Sequence, residues 1–90
     1  MNSPIVSILM PIYNEANTLI HTINSIQLQS LTDFEVIAIN DGSEDNTQTI
    51  LKQFSSTDKR IKSSDLPRVG IIKALNHGLK QCKGKYIARM

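Results

Sequence analysis

The feature that most constrains this chain is a regular alternation of continuous apolar runs with segments of helical periodicity. The runs Ile5 to Ile12 (IVSILMPI) and Phe34 to Ile39 (FEVIAI) predict strands that are buried on both faces. Arg60 to Ser64 predicts a weaker third strand, and Lys85 to Met90 (KYIARM) begins a fourth.

Three segments between these strands have apolar residues at helical spacing. The first predicted helix runs from Glu15 to Ser30, the second starts at Asp45, and the third starts at Ile71 and continues to Cys82. The predicted inner stripes are Leu19, Ile20, Ile23 and Ile26 in the first helix, Ile50, Leu51 and Phe54 in the second, and Ile71, Leu75, Leu79 and Cys82 in the third.

Local signals mark the starts of two helices and a close approach in the third. Asn14 is the predicted N-cap of the first helix, and Asp45 with Gln48 resembles a capping box at the start of the second. Gly78 falls in the middle of the third helix, where glycine costs roughly 1 kcal/mol relative to alanine. We therefore expect a strand or a ligand to approach this position closely.

The order β-α-β-α-β-α-β with short connections predicts an α/β fold in three layers, with helices on both faces of a parallel, Rossmann-like sheet. Ligands of such sheets bind beyond the carboxyl ends of the strands. This rule points to the loops after the first and second strands, where Tyr13, Asn14, Glu15 and Asp41 lie.

Charge is distributed unevenly along the chain. Residues 1–58 contain seven acidic and one basic side chain, whereas residues 59–90 contain one acidic and nine basic side chains. The basic residues are spread over a loop, a helix and a strand without interleaved aromatics, which argues against a nucleic-acid partner. A solvated surface is favoured over a nucleic-acid or anion-binding patch.

The cysteine content, the length of the apolar runs and the first residues of the chain indicate a cellular location. One cysteine, Cys82, excludes an internal disulfide and fits a reducing compartment, and its place on an apolar stripe predicts a core position. No apolar run approaches the length of about 20 residues that spans a bilayer, and residues 1–4 do not resemble a signal peptide. We predict a cytoplasmic location.

The loop from Pro11 to Glu15 contains no glycine, which disfavours NAD, FAD and a Walker-type phosphate site. Tyr13 can stack on a base, and Asn14 or Glu15 can bond to the edge of that base. The alternative is that Tyr13 covers the end of the sheet and Asn14 only caps the helix. These interpretations remain equally open from the loop alone.

Asp41, followed by Gly42, can accept a hydrogen bond from N3–H of a uracil ring; the alternative is an Asx-turn to the backbone two residues on. Arg68 and Lys73 lie near the start of the third helix, where the free N–H groups and the helix dipole favour an anion. A diphosphate or water can occupy that position. No metal-ligand cluster and no catalytic triad are recognisable in the sequence.

Three segments together resemble the family 2 glycosyltransferases, which have the GT-A fold. Val6 to Glu15 (VSILMPIYNE) is similar to their first strand and loop, and Phe34 to Thr47 (FEVIAINDGSEDNT) to their second strand and its turn. Gly70 to Asn76, with Gly78, Gly84 and Tyr86-Ile87, resembles their third helix and fourth strand. Two departures are Arg68, where Asn is frequent, and Leu75, where many members have Arg.

The resemblance implies an inverting transferase of cell-surface polysaccharide biosynthesis that uses a nucleoside diphosphate sugar, with UDP as the expected nucleotide. Carried over to this chain, it implies that Pro11, Tyr13 and Glu15 flank the nucleoside and that Asp41 holds the base. Together with the loop and helix-start arguments, this predicts the nucleotide-binding residues Pro11, Tyr13, Asn14, Glu15, Asp41, Gly42 and Lys73. It implies no catalytic residue and no metal ligand within residues 1–90.

In the family, an Asp-x-Asp motif that holds Mn²⁺ or Mg²⁺ follows the fourth strand. We therefore expect residues 1–90 to be the nucleotide-sugar-binding portion of a longer enzyme that can be membrane-associated, to bind no metal and to be inactive alone. The fourth strand is expected to be a bare edge that allows homo-oligomers to form. The alternative is a stand-alone nucleotide-binding or interaction module without catalysis.

Overall fold

A computed structural model of the protein describes residues 4–29 and 33–90. The elements in chain order are β1 (Val6–Ile12), α1 (Ala16–Gln27), β2 (Phe34–Asp41), α2 (Thr47–Thr57), β3 (Ile61–Leu66), α3 (Ile71–Leu79) and β4 (Tyr86–Arg89). The predicted α/β class and element order are confirmed. The predicted end of the first helix at Ser30 lies outside the described residues, and so do residues 1–3.

The four strands form one parallel sheet in the order β3-β2-β1-β4. All eight residues of β2 are buried, as its continuous apolar run predicts for a strand covered on both faces. The ladder between β2 and β3 continues through the pairs Asn40–Asp65 and Asp41–Leu66. Both strands therefore extend two residues beyond their predicted ends.

Helices cover both faces of the sheet, which confirms the predicted three layers. Side chains of α1 and α2, including Ile23 and Leu51, pack on one face in the larger apolar cluster. On the other face, Ala74 of α3 packs against Leu9 and Ile37 in a smaller cluster. A membrane-spanning helix would need a longer apolar segment than any helix that the described residues form.

The inner face of α3 differs from the predicted stripe. Its buried residues are Ala74 and Gly78, whereas Ile71 is 50% exposed and Leu79 is 45% exposed. The other two predicted residues, Leu75 and Cys82, are partly buried and pack against the smaller cluster. A Cβ atom at Gly78 would collide with Leu9 Cδ1. The close approach predicted at this glycine is therefore made by a strand, and small residues let α3 lie near the sheet.

The helix ends also differ in part from the prediction. The third helix ends at Leu79, so the half-buried Cys82 lies in the connection to β4, where burial raises the pKa of its thiol.

The other two helices bury only part of their predicted inner stripes. In α1, Ile20 is 49% exposed while the other three predicted stripe residues are buried. In α2, only Leu51 of the predicted stripe is fully buried.

Candidate functional site

A pocket of about 280 Å³ opens at the carboxyl ends of β1 and β2. Small-molecule pockets usually measure roughly 300–1,000 Å³, so this one is just below that range. The register of the sheet places Ile12 beside Asn40, which brings the loop after β1 next to the end of β2. The lining residues are Pro11, Ile12, Tyr13, Glu15, Asp41, Arg68 and Ile71.

Asp41 provides the buried carboxylate of this pocket and is only 2% exposed. Its Oδ1 accepts a hydrogen bond from the Val69 N–H at 2.7 Å, and its Oδ2 accepts one from the Gly70 N–H at 3.1 Å. Arg68 Nη1 donates to the same Oδ2 at 2.7 Å. A carboxylate has about four acceptor positions, so three donors leave about one of them free.

These contacts bear on the alternative interpretation of Asp41. Its oxygens bond to residues 68–70 and not to the backbone two residues on. The turn after β2 is instead bonded by Asn40, whose side-chain oxygen accepts from the Ser43 N–H at 3.2 Å. The Asx-turn predicted as the alternative role of Asp41 is therefore wrong.

Tyr13 contributes an aromatic face to the pocket, and Arg68 lies on that face. The guanidinium carbon is 3.6 Å from the centroid of the ring, a cation–π contact. Arg68 thus joins the ring of Tyr13 to the carboxylate of Asp41. Because the Arg68 side chain is 55% exposed, this link is made at the open side of the pocket.

Asn14 joins two loops and is not the N-cap of α1, so that prediction is wrong. Its N–H donates to Ser43 Oγ at 2.9 Å, and its Oδ1 accepts from the Glu44 N–H at 2.8 Å. Its φ of +50° lies in the left-handed region, which asparagine tolerates better than most residues. Glu15 occupies the N-cap position without a side-chain cap bond.

Asp45 bonds to the first residue of both neighbouring helices, although the N-cap position of α2 is Asn46 and the helix begins two residues after its predicted start at Asp45. Its Oδ2 accepts from the Ala16 N–H at 3.1 Å, and its Oδ1 accepts from the N–H of Thr47 at 3.0 Å and from its hydroxyl at 2.5 Å. The Thr47 hydroxyl is the main reason why the pKa of Asp45 lies below its ordinary value. Gln48 donates to Asp65 at 2.9 Å, so the predicted pairing with Asp45 is wrong.

Four of the seven predicted nucleotide-binding residues line the pocket: Pro11, Tyr13, Glu15 and Asp41. Asn14, Gly42 and Lys73 do not. Gly42 has a φ of +70°, and a Cβ atom there would lie 2.6 Å from the backbone nitrogen of Arg68. This glycine therefore lets the loop that contains Arg68 pack on the turn after β2. Lys73 is exposed in the first turn of α3.

Two apolar lining residues, Ile12 and Ile71, were not among the predicted site residues. Ile12 is the last residue of β1, and Ile71 is the first of α3, so the rule that ligands bind beyond the strand ends could have indicated both. Arg68 was predicted only as an anion contact. Nothing local in the sequence indicates that its side chain reaches Tyr13 and Asp41.

The donor set of the pocket does not fit a divalent cation. Asp41 and Glu15 are the carboxylates in the described lining, and Asp41 already carries an arginine and two backbone donors. Asp45, outside the lining, bonds to backbone N–H groups and a hydroxyl. Mg²⁺ sites usually use one or two carboxylates together with substrate phosphates and water. Within residues 4–29 and 33–90, no group of three or more His, Cys, Asp or Glu side chains could hold a metal ion.

Comparison with known proteins gives consistent matches. The family model described as Glycosyl transferase family 2 matches residues 7–90. An "Uncharacterized glycosyltransferase" of Haemophilus influenzae is 43% identical over 90 residues, which are 99% of this chain and 28% of that protein. Chondroitin synthase of Pasteurella multocida is 36% identical over 87 residues, 97% of this chain and 9% of that protein.

A solved structure agrees with these matches. The crystal structure of S. aureus TarS 1-349 in complex with UDP-GlcNAc superimposes with a TM-score of 0.86 and 28% sequence identity. The match covers 96% of this chain and 26% of that chain. This chain therefore spans only about a quarter of TarS 1-349 and of the H. influenzae relative.

Proposed function

The chain belongs to glycosyl transferase family 2 and has the parallel α/β architecture of the GT-A fold, and on that premise we propose that it forms the nucleoside-binding part of a sugar transferase. In this proposal residues 1–90 are one nucleotide-sugar-binding portion. The donor is a nucleoside diphosphate sugar, UDP-linked, and the sugar is transferred to an acceptor with inversion of its anomeric configuration.

The observation that carries the proposal is the pairing of an aromatic ring with a buried carboxylate in one pocket at the carboxyl end of the sheet. Uracil offers a flat ring and an N3–H donor between two carbonyl groups. Tyr13 is proposed to stack on that ring, and Asp41 to accept the N3–H. Pro11 and Glu15 line the same pocket and are proposed to flank the nucleoside.

The diphosphate is proposed to lie toward the start of α3. There the free N–H groups of a nine-residue helix and the exposed Lys73 favour negative charge. Asn14 and Gly42 are proposed to support nucleotide binding indirectly, by holding in place the loops that border the pocket. The UDP-GlcNAc complex of TarS supports UDP as the nucleotide, since that protein is 28% identical to this chain.

The family resemblance also implies Mn²⁺ or Mg²⁺, which would act as a Lewis acid on the leaving diphosphate. Because the described donor set does not fit such an ion, we assign no step to it here. We propose that the metal ligands and the general base come from outside this chain and that the chain alone does not transfer sugar. The name of the Pasteurella relative, chondroitin synthase, supports a role in polysaccharide synthesis. We propose further that the polysaccharide belongs to the cell surface and that the whole enzyme works at the cytoplasmic side, associated with a membrane.

Replacement of Tyr13 tests this proposal. Stacking of a base on an aromatic ring contributes about 1–3 kcal/mol, so Tyr13→Ala should weaken UDP binding by about 5- to 150-fold. The measurement is a calorimetric or NMR titration with UDP. Tyr86→Ala is the matched control, because Tyr86 also has a cation, Lys85 Nζ, over its ring at 5.5 Å but lies on β4 and does not line the pocket. Equal UDP affinity of the two variants would refute the proposed stacking.

A further inference from the structure

We propose that Arg68 occupies the subsite of the base and competes with it, so that base binding requires the guanidinium to leave Tyr13 and Asp41. This inference rests on the proposed function. It concerns a residue that makes both of the contacts assigned above to uracil: the face of the aromatic ring and the carboxylate.

The geometry of the guanidinium matches that of a base in two respects. It is a planar, delocalised group with N–H donors in its plane. Uracil is likewise planar, and its N3–H donor lies in the plane of the ring. Its carbon lies 3.6 Å from the Tyr13 ring centroid, which is van der Waals contact, so no second planar group fits between them. Its Nη1 donates to Asp41 Oδ2 at 2.7 Å, in the manner proposed for uracil N3–H.

The carboxylate of Asp41 stays in place without Arg68. The Val69 and Gly70 N–H groups hold one oxygen each, at 2.7 and 3.1 Å, and both belong to the backbone. Departure of the guanidinium therefore frees an acceptor position without freeing the carboxylate to rotate. A base can then take over the same oxygen, with the ring of Tyr13 exposed to it at the same time.

Arg68 can leave at modest cost because its side chain is 55% exposed and its ion pair faces solvent on one side. The Asp41 side chain is only 3% exposed, but its carboxylate keeps the Val69 and Gly70 N–H donors when the guanidinium leaves, and an N–H group of a base can replace the third donor. Arg68 therefore lowers the affinity of the pocket for a base without closing the pocket. The residue at position 68 sets how tightly the pocket holds the nucleoside.

Uridine is the probe for the test, because it is uncharged and its binding does not respond directly to the loss of a cation. Arg68→Ala and Arg68→Met should each bind uridine about 3- to 10-fold more tightly than the unchanged protein, since both remove the cationic planar group from Tyr13 and its N–H donor from Asp41. The measurement is an NMR titration that follows the Tyr13 ring resonances. Lys80→Ala, which removes an exposed cation just after α3, should leave uridine affinity unchanged.

The outcomes separate this inference from the proposed function. If the unchanged protein binds UDP but neither Arg68 variant gains uridine affinity, the inference is overturned and the proposed function stands; weaker binding would show that the base stacks on the outer face of the guanidinium. If no variant binds uridine or UDP, both fail. If Arg68→Ala does not fold, as judged from its melting curve, Arg68→Met decides, because methionine keeps the apolar stem but has neither charge nor N–H donors.

Discussion

Asp41 holds a loop in addition to lining the pocket. Its side chain bonds to three consecutive residues, from Arg68 to Gly70, which form the approach to α3. The carboxylate therefore fixes the start of that helix relative to β2. A residue proposed to recognise a base is thus also a structural anchor, and a substitution there has to be read for both effects.

Asp41→Asn should lower both the melting temperature and the UDP affinity. An amide has one acceptor oxygen, so its NH₂ group would face the Gly70 N–H or Arg68 where an oxygen now accepts. Loss of hydrogen bonds to a charged group costs about 1.5–3 kcal/mol. Thermal unfolding and UDP titration measure the two effects, with the exposed Glu44→Gln in the adjacent loop as control. An unchanged melting temperature would contradict the anchoring role.

The sequence was sufficient to place Tyr13, Glu15 and Asp41 at the site, because each follows a buried apolar run and strand ends of a parallel sheet lie together. It was not sufficient for Asn14. Capping rules consider partners within a few residues, whereas the partners of Asn14 are Ser43 and Glu44, about thirty residues further along the chain. Contacts that depend on two loops meeting are not encoded in local spacing.

At the scale of helices and strands, the existence and order of all seven elements could be predicted, but their ends and inner faces could not. The ladder carries β2 and β3 through polar residues such as Asn40 and Asp65 because backbone pairing does not require apolar side chains. The predicted stripe of α3 is right in part, because Leu75 and Cys82 pack against the smaller apolar cluster whereas Ile71 and Leu79 are exposed. The helix also packs through Ala74 and Gly78, which permit a short distance to the sheet.

A buried polar cluster ties the amino-terminal side of the sheet together and was not predicted. Glu35 Oε2 accepts from the Ser7 hydroxyl at 2.5 Å and from the Lys83 N–H at 2.6 Å, while Lys62 Nζ donates to Oε1 at 2.9 Å. The Gly84 N–H donates to Ser7 Oγ at 2.7 Å. The cluster therefore links β1, β2 and β3 to the segment that leads into β4.

Glu35 should make the stability of the fold sensitive to acid. Burial raises the pKa of this carboxyl, but the hydrogen bonds from Ser7, Lys83 and Lys62 outweigh burial and hold the pKa below its ordinary value. A carboxyl whose pKa is lowered by folding contributes stability above its unfolded pKa of about 4.3 and loses that contribution as the pH falls through the folded pKa.

Glu35→Gln should therefore lower the melting temperature at pH 7 and flatten its fall below about pH 4.3. Leaving buried donors poorly paired costs about 1–3 kcal/mol. Thermal unfolding between pH 7 and pH 3 provides the measurement, and Glu44→Gln, which alters an exposed carboxyl, should follow the unchanged protein. If the two variants have the same pH profile, the cluster does not carry this part of the stability.

On the scale of the whole molecule, the structure explains part of the uneven charge distribution along the sequence. Two basic side chains from residues 59–90 pair with buried carboxylates from residues 1–58: Lys62 with Glu35, and Arg68 with Asp41. The prediction that the basic residues form a solvated surface is thus incomplete. Lys62 bonds to a carboxylate on the neighbouring strand, and Arg68 bonds to the carboxylate in the pocket. The distance along the chain between partners explains why the charge pattern alone could not indicate this.

The edge strand β4 should make the 90-residue chain associate. β4 lies at one end of the strand order, all four of its residues are exposed, and exposed apolar edges pair with one another. Sedimentation velocity should show dimers or larger species that increase with concentration. Ile87→Lys should reduce association, whereas Ile20→Lys, at an equally exposed apolar position on α1, should not. A concentration-independent monomer would contradict this prediction.

The central claim, that the pocket of this chain binds a uracil nucleotide through Asp41, is tested most directly by comparing UDP with CDP in calorimetric titrations of the unchanged protein. Uracil presents N3–H as a donor, whereas cytosine presents a lone pair at N3 that the carboxylate repels. Loss of a charge-assisted hydrogen bond costs about 1.5–3 kcal/mol, so UDP should bind about 10- to 150-fold more tightly than CDP. Equal affinities, or tighter binding of CDP, would contradict the account.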